Sequence, residues 1–223
     1  MHFDQFAGEY KEILDRSVAA SGEDSAYFAE YKARYLRRML PSIKPCKVLD
    51  FGCGVGMLSG FLRHCFPNAQ VDGFDVSPDS ISKVRSDLAV QGTFTSDFAH
   101  LAQEYQLIVV ANVMHHIPPS ERQSTIDQLG HRLSAGGTLA IFEHNPSNPV
   151  TRWVVERCPF DEDAILLPAA ESKRYLRSSG LTISRRDYIV FMPHVLAAFR
   201  VLEPWLRWLP LGAQYAILAE KHA

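Results

Sequence analysis

Cysteine is scarce and scattered in this chain. Its 223 residues hold four, Cys46, Cys53, Cys65 and Cys158, and no two form a C-x-x-C pair. That spacing argues against a zinc knuckle or a disulfide framework and predicts a reducing compartment. Long apolar runs are missing too. No window approaches the ~18 consecutive apolar residues of a spanning helix. Charge of one sign is not in excess: 23 basic and 25 acidic side chains leave a formal net charge of −2. With no basic stripe and no RNA-binding signature, no nucleic-acid partner is expected. The opening residues, Met1 to Gln5, are polar with an early acid, not the basic start and apolar stretch of a secretory signal. A cytoplasmic location is the expectation. Internal repeats and low-complexity tracts are absent. What is present suits a globular chain: 47% apolar residues, enough to bury the core of one large domain with embellishments.

The stretch Lys47-Val-Leu-Asp-Phe-Gly-Cys-Gly-Val-Gly-Met-Leu-Ser59 organises the rest. A short apolar run ends at Asp50 and Phe51. Three glycines follow at alternate positions, Gly52, Gly54 and Gly56, and a helical apolar pattern begins at Met57. The pattern predicts strand, tight turn and helix. Glycines in such a turn accept positive φ and let a ligand lie against the backbone, while the helix start adds free N–H groups. A dinucleotide fingerprint, G-x-G-x-x-G, would need glycine where Met57 stands.

Residues 1–40 carry helical spacing without strand signals. Phe3, Phe6, Tyr10, Ile13, Leu14 and Val18 share one face, and a second helix is predicted from about Ser25 to Leu40. The region reads as a cap beside the glycine turn. It either packs on the sheet flank or acts as a lid whose Tyr10 or Tyr31 touches ligand. Gln70 to Asp75 is a second strand, and Ser77-Pro78 starts a helix through Ile81, Val84 and Leu88. Asp75, about twenty residues past the glycine turn and at a strand end, is placed to accept two ribose hydroxyls. Gly92–Thr95 reads as strand three and Gln106–Ala111 as a central strand buried on both faces. A helix follows Pro118-Pro119. Leu133–Gly137 reads as a turn, and Thr138–Phe142 as strand five. Later come a proline-broken loop from Glu143, a short helix at Thr151–Arg157, a helix at Glu171–Ser179, and closing strands at Leu181–Val190 and Ala213–Ala219. Strands alternating with helices at this spacing predict a parallel sheet of right-handed units.

Taken jointly, VLDFGCGVG, DGFDVS, SDF, LIVVANVMHHI and LSAGGTLAIFE over roughly residues 45–145 resemble the class I S-adenosylmethionine (SAM) methyltransferases that act on small molecules. The resemblance implies a Rossmann-like, doubly wound α/β fold. Its seven-stranded, mostly parallel sheet would have an antiparallel last strand. It divides the chain into an N-terminal helical cap, 1–44, and a SAM-binding domain, 45–223, with insertions at about 145–170 and 191–211. It implies SAM as cofactor. Asp50, Gly52, Cys53, Gly54 and Gly56 would lie at the methionine end, Asp75 and Val76 at the ribose, Asp97 and Phe98 at the adenine, and Asn112 near the transferred methyl.

SAM brings its own leaving group, so positioning and water exclusion are the protein's main tasks. An oxygen acceptor would still gain from a proton acceptor. His115 and His116 follow strand four and His144 ends strand five, which puts all three beside the expected methyl. His144 and His115 are the leading candidates for a general base or a positioning group, because neighbouring residues on an extended chain face opposite sides. His116, Asn145, Arg152 and Asp161 are candidates for orienting substrate. No metal is predicted, since no carboxylate or cysteine stands at ligand spacing beside these histidines. The segment Phe191–Leu211 mixes Trp205, Trp208 and many aliphatics with Arg200 and Arg207. It reads either as an insertion packed on the body or a subunit surface, or as a patch making peripheral contact with a membrane. The sequence predicts methyl transfer to an apolar or lipid-linked small molecule, oxygen favoured over nitrogen or carbon. An NAD-dependent oxidoreductase and a non-catalytic SAM-binding or membrane-associated module are the rival readings.

Overall fold

The near-continuous apolar runs form the middle of a sheet. The computed structural model describes residues 15–16 and 18–222. Seven strands, β1 (Lys47–Phe51), β2 (Gln70–Phe74), β3 (Phe94–Thr95), β4 (Tyr105–Ala111), β5 (Leu133–His144), β6 (Thr182–Ile189) and β7 (Gln214–Glu220), lie in the order β3-β2-β1-β4-β5-β7-β6. The pairs β1–β2, β1–β4, β2–β3 and β4–β5 are parallel, and β7 runs antiparallel to both β5 and β6. The strand order reverses between β1 and β4. In open α/β sheets ligands bind outside the carboxyl ends of strands at such a switch point.

Alternation along the strands divides the core into two layers. Leu49, Ile108 and Val110 pack with Ile126 and Leu129 of α5 (Pro119–Arg132). Val48, Leu107 and Val109 pack with α1 (Ser25–Met39) and α2 (Met57–Cys65) on the other side. Helix α1 begins where the Asp24 carboxylate accepts the Tyr27 N–H at 2.8 Å, an N-cap. Its Ala29, Ala33, Tyr35 and Leu36 belong to the second layer. The Tyr35 ring meets Phe142 edge-on at 5.7 Å. The helix expected at residues 3–18 falls almost wholly outside the described residues.

Several boundaries differ from expectation. Leu133 begins β5 directly, so Leu133–Gly137 is strand and not a turn. Lys221 secures that end, its backbone exchanging hydrogen bonds with Gly136 and Gly137. The helix after Ser77 is two short pieces, α3 (Pro78–Ser82) and α4 (Ser86–Ala89). β3 spans two residues. The later α-helices are α6 (Pro149–Val155), α7 (Ala169–Ser178) and α8 (Glu203–Leu206).

The 191–211 segment forms a run of 3-10 helix at His194–Leu202 followed by α8. Buried Glu203 secures it, accepting the N–H groups of Phe191 and Met192, both at 3.0 Å, and the Tyr31 hydroxyl at 3.3 Å. Val195, Phe199, Val201, Trp205 and Trp208 stay exposed, the two tryptophans by 71% and 70%. The arginines do not join them. Arg200 pairs with Glu23 at 2.6 Å and lies over the Tyr27 ring, and Arg207 faces Asp187 at 3.7 Å. Among the described residues no helix is long and apolar enough to cross a membrane.

Candidate active site

The glycine turn after β1 takes the left-handed backbone its composition allows. Gly52, Gly54 and Gly56 have φ of 79°, 53° and 82°, values other residues rarely adopt. A Cβ on Gly52 would lie 2.2 Å from Val113 Cγ2, so the turn from β1 and the loop after β4 touch where a side chain would separate them. The Gly52 and Cys53 N–H groups donate to the Phe74 carbonyl at 2.7 and 2.9 Å. Asp75 then closes the turn. Its Oδ2 accepts the Gly54 N–H at 2.8 Å, and its Oδ1 accepts the Ser77 N–H at 2.9 Å. The residue expected at the ribose therefore also shapes the cradle. The Cys53 thiol is buried and its sulfur sits against Gly73, so the backbone of Cys53, not its side chain, belongs to the turn.

Two charged groups lie beneath the cradle. Asp50 is buried, and its carboxylate accepts the Ser59 hydroxyl at 2.6 Å. Burial raises its pKa to about 7 despite that bond. Lys32 of α1 is buried as well. Burial lowers its pKa to about 8, while the charges of Glu143 and Asp50 oppose the fall. Sequence reasoning passed over Lys32. The signal was its place on the stripe of α1 that Ser25, Ala29 and Leu36 also occupy, where a lysine has no reason to be unless something anionic meets it.

At the other end of the cleft, Asp97 is exposed and its Oδ1 accepts the Ala99 N–H at 2.9 Å. The half-buried Phe98 ring meets Phe51 and Phe74 edge-on at the margin of the core, and the Arg132 guanidinium lies 4.3 Å over it. Val76 is exposed.

The carboxyl ends of β4 and β5 bring together what the sequence scattered. Asn112 has φ of 58° and a buried Oδ1 without a hydrogen-bond partner. Its Nδ2 lies 3.3 Å from His144 Nε2. Residues 114–116 form a 3-10 turn, so the expected alternation of His115 and His116 fails and both approach one carboxylate. His115 Nδ1 is 2.5 Å from Glu143 Oε2, and its Nε2 is 3.2 Å from Asp161 Oδ1. His116 Nε2 is 3.5 Å from the same oxygen. Glu143 is fully buried, and its Oε1 accepts the N–H groups of Val113 and Met114 at 3.0 and 2.7 Å. Burial works against the His115 charge, but Glu143 and Asp161 prevail and raise its pKa to about 9. Burial, followed by the repulsion of His115, lowers His116 and His144 to about 4 each. Glu143 and Asp161 stay below their usual range because His115 outweighs the effect of burial. His115 has both ring nitrogens engaged. His116 and His144 are neutral imidazoles.

Asp161 also lines a cavity of about 640 Å³, with Arg152, Val155, Cys158, Pro159 and Leu166 among its walls. Arg152 stands in the wall of that cavity. Asn145 does not. It is buried, and its amide donates to the carbonyls of Pro210 and Gly212 at 3.1 and 2.8 Å, pinning the late insertion. Tyr31 is likewise held by Glu203. Tyr10 lies outside the described residues. Glu143 was read only as the start of a loop, although a carboxylate at the end of an apolar strand was the available signal.

Comparison with known proteins agrees with this geometry. The methyltransferase domain family matches residues 24–185, most of the chain. The trans-aconitate 2-methyltransferase of Methylobacterium nodulans is 28% identical over 202 residues, which cover 81% of this chain and 75% of that protein. The protein of the same name from Rhodopseudomonas palustris (strain BisB5) is 30% identical over 169 residues, 72% of this chain and 65% of the relative. Among solved structures, magnesium protoporphyrin IX methyltransferase from Synechocystis PCC 6803, with bound SAH, superposes with a TM-score of 0.67 at 17% identity, covering 99% of this chain and 96% of that one. The helix α2 begins at Met57, directly after the third glycine, so the dinucleotide fingerprint has no counterpart and the NAD reading fails. The chain belongs to the class I methyltransferases and is a SAM-dependent methyltransferase.

Proposed function

We propose that the protein methylates an oxygen of a small, largely apolar molecule bound between the glycine turn and the cavity beside Asp161. SAM supplies an activated methyl group with its own leaving group. The chain's residues do the rest by binding and placement. Gly52, Gly54 and Gly56 give the cofactor close access to backbone, Asp75 takes the ribose hydroxyls, and Lys32 meets the methionine carboxylate. The orphaned Asn112 Oδ1 marks a place for a polar group of cofactor or acceptor, since a buried acceptor without a partner costs ~1–3 kcal/mol.

The observation that carries the reading is the His115 imidazole, fixed between Glu143 and Asp161 with His144 beside it at the strand ends. Such a cluster accepts a hydrogen bond from an acceptor hydroxyl and turns its oxygen toward the methyl. Val155, Pro159 and Leu166 in the cavity wall support an apolar substrate. The trans-aconitate relatives support a second reading, a carboxylate acceptor, with Arg152 and Arg157 at the cavity as its partners. The test is to supply methyl-labelled SAM with a panel of amphiphilic alcohols and phenols and, separately, with trans-aconitate. Label in a hydroxyl compound supports the first reading. Label in trans-aconitate alone replaces it with the second.

A further inference from the structure

We propose that His115, His144 and Asp161 form a binding site for a divalent first-row transition ion, with Glu143 as its outer support. Each of the three offers one ligand atom, and all three atoms lie within 4.8 Å of one another. Two imidazoles and one carboxylate are a donor set for zinc, manganese or iron in sites that keep positions open. The support is as telling as the ligands. Metal-bound histidines commonly give their second ring nitrogen to a carboxylate, which fixes tautomer and orientation. Here Glu143 holds His115 Nδ1 and is itself fixed by two backbone N–H groups, so Nε2 is aimed at Asp161 by a rigid chain of contacts.

The Asp161 loop is tied to the same point. The Asp161 N–H donates to the Cys158 carbonyl at 2.9 Å, and the Ile165 N–H donates to the His115 carbonyl at 2.9 Å. A charge argument agrees. Glu143 and Asp161 flank His115 at its two ring nitrogens, 0% and 9% exposed. In the free protein the imidazolium balances these buried anions, and a divalent ion that displaces the Nε2 proton would take over that role. Bonds of ~2.0–2.2 Å to nitrogen and oxygen require the donors to draw together from their present span. Asp161 faces the cavity, so an ion here would meet the acceptor oxygen of the proposed reaction. Only that role rests on the proposed function; binding itself does not.

The test uses the full chain, freed of ions with a chelator and titrated with Zn²⁺ by calorimetry. One equivalent is expected to bind. Asp161→Asn and His144→Ala should each weaken binding at least tenfold, and Glu143→Gln about tenfold. His64→Asn and His131→Asn, at other positions, should leave it unchanged. No binding, or equal affinity in Asp161→Asn and His144→Ala, would overturn the site. Should those variants misfold, Co²⁺ added to the unaltered chain decides. Absorption bands of nitrogen and oxygen ligation are expected, and a thiolate charge-transfer band would move the ion to a cysteine and end the proposal. Methyl transfer in excess chelator separates the two readings. Transfer without ion binding sinks the ion alone, and ion binding without any transfer sinks the proposed reaction alone.

Discussion

The imidazole of His115 and the carboxylate of Glu143 lie 2.5 Å apart, with their side chains 1% and 0% exposed. They come from different strand ends, and each is held by further bonds to Asp161 or to the backbone. Breaking one member of a buried pair leaves the other uncompensated, at ~3–5 kcal/mol. Glu143→Gln keeps the shape and removes the charge. We expect it to lower the urea midpoint clearly and to reduce kcat about 100-fold, while the Kd for SAM moves less than threefold. Equilibrium unfolding and cofactor titration on the same preparation check the three together.

Asp75 closes the glycine turn, and in the proposed site it also takes the ribose. Asp75→Asn retains an oxygen for the Gly54 N–H but loses the double acceptance of hydroxyls. Hydrogen bonds to charged groups contribute ~1.5–3 kcal/mol, so the Kd for SAM should rise ~10- to 100-fold with little change in thermal midpoint. Asp75→Ala should lose both. A Kd in either variant within twofold of the original places the cofactor elsewhere.

In the proposed site Lys32 makes cofactor binding depend on pH. Its pKa in the free protein is lowered to about 8, and a carboxylate prefers the ammonium form. Affinity for SAM is therefore full below pH 8 and falls as pH rises through and above it. Lys32→Met should weaken binding ~10- to 100-fold at neutral pH, by the same range for charged hydrogen bonds. It should also flatten the pH profile between 7 and 10. Calorimetry across that range reads both effects.

Asp50 acts on stability in a different window. Its folded pKa of about 7 exceeds the unfolded value of ~3.9. The folded chain holds the proton where the unfolded chain has lost it. The group's contribution is fully present below pH ~4, declines as pH rises, and is gone above pH 7. Asp50→Asn keeps an acceptor for Ser59 and has no proton to lose. Its stability relative to the original chain should grow from pH 4 to pH 7 and then level off. Urea titrations at half-unit intervals would show this, and a constant difference would contradict it.

The fold was legible because its signals are local. Continuous apolar runs mark β1, β4 and β5, and alternate glycines mark a turn that no other residue accommodates. Asp75 was readable because a strand end and a helix start bracket it. Boundaries erred where local chemistry competed with pairing. Leu133–Gly137 carries turn residues, yet it is strand because Ser134 and Lys221 hold it to its neighbours.

The sequence by itself determined the order of strands and helices, the tight glycine turn after β1, and the acid beyond β2 that closes it. Each depends on residues near one another along the chain. Tertiary structure alone decided which side chains meet. Asp161 reaches His115 from a loop 46 residues away, and Lys32 enters the site from a helix before the first strand. Asn145 is bonded to the late insertion, and Phe98 packs at the margin of the core. No periodicity encodes such meetings. They follow from how the sheet twists, where each crossover returns, and which buried charge finds its counterpart.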